Sequence, residues 1–358
     1  MSGPNSTGNG LAEAGTFIRG RRFLILSCLL FFSLLISAGS LQSEERVPLV
    51  WPSPNTAFLE GKPIEDFIQP TASGRIESGL YGCVRNGGRR FHEAIDIKVV
   101  ERDRNGRPLD PAFAAMPGRI VYVNQVSGNS SFGKYVVLEH QFEGIHFYTL
   151  YSHLNSIGEG VQAGIEVEQG APLGIIGSTA GGYVIPNSRA HLHFEIGLQL
   201  DSEFAWWFDR KGFGSKNQHG AWNGMNLSGW DPLRYYQLAL EGEISGPRDF
   251  LLREPVAVRV RVPYAGVPDL ARRSPGMVED DIAGSPGGWE VDFSQYGVPL
   301  KFRRVSTEEL PSNESAVEVV AYNADIAFPK CRDLLDKRGD DYVPGRDLNR
   351  ALELIFGR

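Results

Sequence analysis

Five short runs rich in β-branched and aromatic residues lie between positions 119 and 196, divided by glycine turns. They are Arg119–Val123, Lys134–His140, His146–Tyr151, Ala171–Gly177 and His191–Ile196. Residues of this kind fit a pleated, half-buried surface better than a helix. From about 76 to 200 no segment shows the 3.6-residue apolar period of a three-turn helix. The region therefore reads as mainly β. The whole chain has 42 glycines and 22 prolines in 358 residues, about 18%. An average protein has roughly 12%, so turns are abundant.

The length favours two domains. Residues 41–75 are a lead-in punctuated by Pro48, Pro52, Pro54, Pro63 and Pro70. Residues 76–244 form the first domain, with an aromatic-rich extension from 201 that holds four of the six tryptophans. A short helix is expected over Asp231–Leu240. Ser245-Gly246-Pro247 marks a boundary, and 245–358 is a smaller β-rich or α+β domain. Its strands are expected at Val256–Val262, Trp289–Phe293 and Ala316–Ala321. A terminal helix is expected over Asp347–Phe356, with Leu348, Leu352 and Ile355 on one side.

At the amino terminus Arg19, Arg21 and Arg22 precede a 16-residue apolar run, Phe23–Ala38. A membrane span needs about 20 residues and a signal-peptide core about 7–15. Small residues Ser37 to Ser40 follow at once, as a cleavage site requires. Residues 1–40 thus read as an export signal, with an uncleaved anchor as the rival. Cys28 follows a small residue, but Leu26 is too large for a lipoprotein site. The expected place of work is the periplasm or cell envelope, with membrane contact only through residues 23–38. The net charge is −7, and removing the first 40 residues makes it −9. No basic stripe offsets this, so nucleic acid is not an expected partner. Three cysteines do not make a disulfide scaffold. After signal removal only Cys83 and Cys331 remain, and in an oxidising compartment they can pair.

Four pieces carry chemistry. Phe91–Ile97 contains His92-x-x-x-Asp96, Tyr151–Leu154 contains His153, and Ala190–Phe194 contains His191-x-His193. Around them lie the glycines of 174–182. Residues two apart on a strand face the same way, roughly 6.5–7 Å apart, so His191 and His193 look into one site. One can bind a metal while the other handles protons. Four residues of straight strand span about 13 Å, so the chain must bend for His92 and Asp96 to meet. Two imidazoles and a carboxylate suit zinc, and three protein ligands leave a position for water. Amide hydrolysis then needs a base and an oxyanion donor. His153 and His191 are left for those tasks. His140 and His146 lie beside the same strands and read as structural, and His219 reads as a loop residue.

Taken together, these motifs resemble the lysostaphin/LytM-type zinc endopeptidases, which cut peptide bridges in bacterial cell walls. The resemblance runs from about Tyr81 to Leu198 and includes Ala115–Val121, Phe132–His140 and Gly174–Thr179. It implies an antiparallel β-sheet catalytic domain with an open groove. It implies one zinc ion held by His92, Asp96 and His193. It gives His191 the part of general base and His153 that of stabilising the oxyanion or orienting water. The implied partners are the peptide stems of peptidoglycan. Ala94 stands where a glycine is common, and the segment between Thr179 and His191 is longer than usual. Some relatives are latent through an upstream asparagine on the zinc, and Asn55 lies in the right region.

Other readings stand beside this one. Relatives that have lost their ligands only bind walls or activate other hydrolases, but here all five residues are present. Glu159–Gly174 resembles the hairpin of lipoyl-type carrier domains, yet Ile165–Gly177 has no lysine to modify. The tryptophans of 201–230 either stack on substrate or pack the flank of the sheet.

Overall fold

The structure, a computed structural model, describes residues 46–279, 286–310 and 317–357. The export signal, the possible anchor and Cys28 lie outside the described residues, as does Ala316. No described helix is long and apolar enough to cross a membrane.

The first strands are β1 (Gly82–Arg85), β2 (Arg90–His92), β3 (Ile95–Lys98) and β4 (Pro111–Phe113). Then come β5 (Gly118–Asn124), β6 (Lys134–Phe142), β7 (Ile145–Leu154), β8 (Ser156–Ile157) and β9 (Glu166–Val167). β10 (Pro172–Ile175), β11 (His191–Gln199) and β12 (Leu227–Trp230) complete this part. All five expected runs are strands: β5, β6, β7, β10 and β11. The main sheet runs β12-β11-β7-β6-β5-β9, and β3 also pairs with β11. Every pairing in it is antiparallel. Glu143-Gly144 joins β6 to β7 in two residues with φ of 51° and 71°. Two consecutive positive φ values match the twist of the flanking strands.

Alternation along β11 decides where the site can be. Leu192, Phe194, Ile196 and Leu198 enter the hydrophobic core. His191, His193 and Glu195 therefore share the opposite face, although they too are buried. That face also carries Tyr148, Leu150, Val137 and Tyr135, which form a second small cluster with Phe132 and Trp222. His219 lies against it, with Nδ1 3.0 Å from the Tyr122 hydroxyl and 2.9 Å from the Tyr135 hydroxyl. Residues 219–227 thus cover one end of the site-bearing face.

The later helices are α1 (Phe204–Lys211), α2 (Pro232–Leu240), α3 (Pro247–Arg253), α4 (Asp269–Arg273) and α5 (Arg346–Phe356). The later strands are β13 (Val258–Val262), β14 (Val278–Glu279), β15 (Pro286–Phe293), β16 (Pro299–Ser306) and β17 (Glu318–Tyr322). They form a sheet in the order β14-β16-β15-β13-β17, with β14 parallel to β16. β18 (Leu335–Arg338) and β19 (Asp341–Pro344) make a hairpin. One continuous core includes Trp51, Phe194, Trp230, Phe250, Val260 and Phe356. The described residues form one compact unit. Trp230 packs on Tyr235 and Phe250, and the Trp207 indole donates to Glu353 of α5. These two tryptophans pack the fold rather than line a groove.

Cys83 and Cys331 form a disulfide that ties β1 to the C-terminal region. It closes 248 residues of sequence separation. In the chain-entropy account such a loop is worth about 5 kcal/mol. Replacing both cysteines by serine should therefore lower the denaturant midpoint clearly. An unchanged midpoint would remove the disulfide from the account of stability.

Candidate metal centre

His92 ends β2 and Asp96 lies in β3, and the chain bends between them at Glu93 and Ala94. This is the bend that the four-residue spacing demands. Pairing of β3 with β11 puts Asp96 opposite His193, and pairing of β7 with β11 puts Ser152 opposite His193. His153 follows on β7 with φ of 60°, a left-handed backbone that is uncommon for a residue with a side chain.

Three ligand atoms converge. His92 Nε2 is 3.2 Å from His193 Nδ1 and 3.2 Å from Asp96 Oδ1. His193 Nδ1 is also 3.2 Å from Asp96 Oδ1. A tetrahedral site with bonds of about 2.0 Å has edges of about 3.3 Å. The triangle therefore has the size of one face of a zinc tetrahedron. Among the described residues, this trio is the group whose spacing could hold a metal ion.

The outer nitrogens assign the tautomers. His92 Nδ1 donates to the Leu80 carbonyl at 2.7 Å, which leaves Nε2 to the site. His193 Nε2 faces Glu195 Oε1 at 2.9 Å, and Tyr148 donates to the other Glu195 oxygen at 2.7 Å. His191 Nδ1 donates to the Arg189 carbonyl at 2.7 Å, so its Nε2, 3.5 Å from Asp96 Oδ1, offers a lone pair. His153 Nδ1 donates to the Thr179 carbonyl at 2.8 Å. Its ring centre is 4.8 Å from that of His191.

Burial works to raise the Asp96 pKa, but the charges of His92 and His191 and hydrogen bonds from His193 and His92 hold it well below the usual carboxylate range. Burial lowers His153 strongly, helped by His191 and His193. Burial also lowers His191, against the pull of Asp96. Both imidazoles are thus neutral near neutral pH. His193 goes the other way. Burial opposes its charge, but hydrogen bonds to Asp96 and Glu195 outweigh it and raise the pKa to about 9. Below that pH a proton stands on the nitrogen that a metal would take. Zinc affinity should then climb as pH rises from 6 to 9, by up to about tenfold per unit, with one proton released. Calorimetry in buffers of different ionisation enthalpy checks this. A flat affinity would contradict it.

Arg85 of β1 completes the surroundings. Its Nη2 donates to Asp96 Oδ2 at 2.6 Å and to His92 Nε2 at 2.9 Å. Asp96 therefore keeps Oδ1 for the histidines while Arg85 holds Oδ2. A cavity of about 530 Å³ opens beside the cluster, lined by Asp96, His153 and His191 and by Tyr183 of the long segment after Thr179. Asn55 is elsewhere. Its Nδ2 donates to the Asp66 and Lys98 carbonyls and its Oδ1 accepts from Ala57, so its amide is spent away from the cluster. His140 is buried between the Pro117 carbonyl and Thr149, as a structural residue would be.

The structure brings together His92, Asp96, His153, His191 and His193, the five residues expected from the sequence. Arg85, Glu195 and Tyr148 join them without having been expected. Glu195 was open to detection, because it sits two residues after His193 on one strand face. Arg85 had no local signal, since its place depends on the β1–β2 pairing.

The fold and site define a β-sheet protein carrying two histidines and a carboxylate set for one metal ion, with two neutral histidines alongside. Residues 90–202, about a third of the chain, match the family model for peptidase family M23. The matched stretch contains His92, Asp96, His153, His191 and His193. A Pseudomonas aeruginosa chain assigned to peptidase M23 is 23% identical over 29% of this chain and 37% of that one, with a TM-score of 0.23. The catalytic domain of the antimicrobial peptidase lysostaphin from Staphylococcus simulans is 22% identical over 44% and 87%, with a TM-score of 0.27. Csd3 of Helicobacter pylori is 21% identical over 36% and 31%, with a TM-score of 0.25. The chain thus spans well under two thirds of the first and third of these proteins. At such TM-scores none of the three bears on its function. No curated protein matches the chain.

Proposed function

We propose that the chain is an exported endopeptidase that hydrolyses peptide cross-links of bacterial peptidoglycan with one zinc ion. His92, Asp96 and His193 would hold the ion through Nε2, Oδ1 and Nδ1. The observation that carries this reading is the 3.2 Å triangle of those atoms inside the M23 match. Zinc there would supply Lewis acidity, bringing the pKa of a water towards ~7 and polarising a carbonyl.

The chain's own residues do the rest. Neutral His191 presents Nε2 as the base that takes a proton from the attacking water. It later returns that proton to the leaving amine nitrogen. His153 also presents a lone pair, because its Nδ1 proton is committed to Thr179. It therefore orients the water and donates to an oxyanion only after it has been protonated. Glu195 and Leu80 fix the ring planes of His193 and His92. No ligand is lost, so a silent wall-binding module is the weaker reading. The disulfide supports work in an oxidising compartment, the periplasm or cell envelope.

The test is digestion of defined peptidoglycans and sequencing of the released fragments. New amine and carboxyl ends in the cross-link, at matching amounts, are the expected products. Release of sugar fragments alone, or no release from any wall, would contradict the proposal.

A further inference from the structure

The chain is acidic, yet the cavity beside the metal cluster is basic. Arg75, Arg85, Arg90 and Arg189 line it, and Asp96 is its only acidic residue. Asp96 is already paired with Arg85 at 2.6 Å. Arg75 reaches Glu77 at 3.6 Å with both side chains exposed. Arg90 and Arg189 form no ion pair among the described residues. Their positions are not scattered. Arg90 lies two residues before His92 on β2, and Arg189 lies two residues before His191 at the end of a helical turn. The backbone that sets one metal ligand and the candidate base also sets one free guanidinium beside each. Burial and the Asp96 charge raise the Tyr183 hydroxyl, and Arg85 and Arg90 act against them from the same cavity.

Unpaired guanidinium groups gathered in a concave site are suited to a planar anion, and the fork of N–H donors matches a carboxylate. A neutral bridge such as oligoglycine would leave both charges without a partner. Recognition built on ion pairs rejects a ligand that lacks the charge, because the site's polar groups then stay unmatched.

Resting on the proposed endopeptidase reading, we propose that this cavity receives a free carboxylate of the peptide substrate close to the scissile bond. Arg90 and Arg189 are the residues that select it. The substrate class is therefore a cross-linked peptide carrying an acid group beside the cut, not a neutral bridge.

The experiment compares two forms of one cross-linked stem peptide, one with a free carboxyl beside the scissile amide and one with a carboxamide there. The wild-type chain should favour the acid by about tenfold or more in kcat/KM, mostly through KM. In the Arg90→Gln/Arg189→Gln double variant the acid-to-amide ratio should fall towards one. The Arg90→Lys/Arg189→Lys variant should restore part of it. The ratio is its own folding control, since a misfolded variant loses both substrates together. A wild-type ratio of one, or an unchanged ratio in the double variant, would overturn the inference. If neither peptide is cut, the hydrolysis reading fails separately. Calorimetric binding of both peptides to the His191→Ala chain then decides: tighter binding of the acid supports the carboxylate site, and equal binding overturns it.

Discussion

Asp96→Ala should remove both the metal and the activity. Its Oδ1 is one corner of the 3.2 Å triangle, and its Oδ2 is the partner of Arg85. Without it, two imidazoles face a guanidinium in a buried setting, and two neutral donors beside a cation hold a divalent ion poorly. Zinc content should drop from one per chain to none on dialysis, and hydrolysis should fall below detection. The same change breaks an ion pair whose carboxylate is buried, which typically costs about 3–5 kcal/mol. Asp96→Asn keeps the shape and loses the charge, so it gives up the ion pair without leaving a cavity. It should cost less stability than Asp96→Ala and still lose the zinc. An Asp96→Asn chain that binds zinc as the wild type does would remove Asp96 from the ligand set.

His191→Ala should cost about 10²–10⁴-fold in rate and leave the zinc in place. The ring is not a corner of the triangle, its Nδ1 is tied to the Arg189 carbonyl, and its Nε2 faces the site. Burial keeps it neutral, which a base requires. The acid limb of the pH–rate profile should be lost with the ring. His153→Ala should give a loss of similar kind, with zinc also retained, because Thr179 holds that ring in the same sense. Wall lysis that persists in both variants would end the mechanism proposed for these residues. Loss of zinc from His191→Ala would make His191 a ligand.

Much of the site could be read from the chain because strand alternation is a local property. His191 and His193 had to share a face, and the β11 pattern of buried Leu192 and Phe194 between them shows why. The His92–Asp96 spacing announced a bend without saying of what kind. The structure resolves it as a strand end, a two-residue bend and a new strand. Pairings between distant segments were not legible. Arg85 reaches Asp96 only because β1 pairs with β2, and no periodicity reports that. The helices α1, α3 and α4 were missed because they are short and sit among aromatic or charged residues with little amphipathic period. The shared core of the N-terminal and C-terminal regions was also hidden. A Ser-Gly-Pro sequence is a good turn signal, but Pro247 opens α3, whose Phe250 and Leu251 are buried. The cysteine pairing was legible as a possibility from counting alone, and its geometry was not.

Hydrolysis of cross-linked peptidoglycan by the full chain, stripped of metal and titrated with zinc, tests the central claim most directly. The account predicts no cleavage without metal, a rate that rises in proportion to added zinc, and saturation at one ion per chain. Cleavage by the metal-free chain would contradict it. So would a zinc-loaded chain that leaves every cross-link intact.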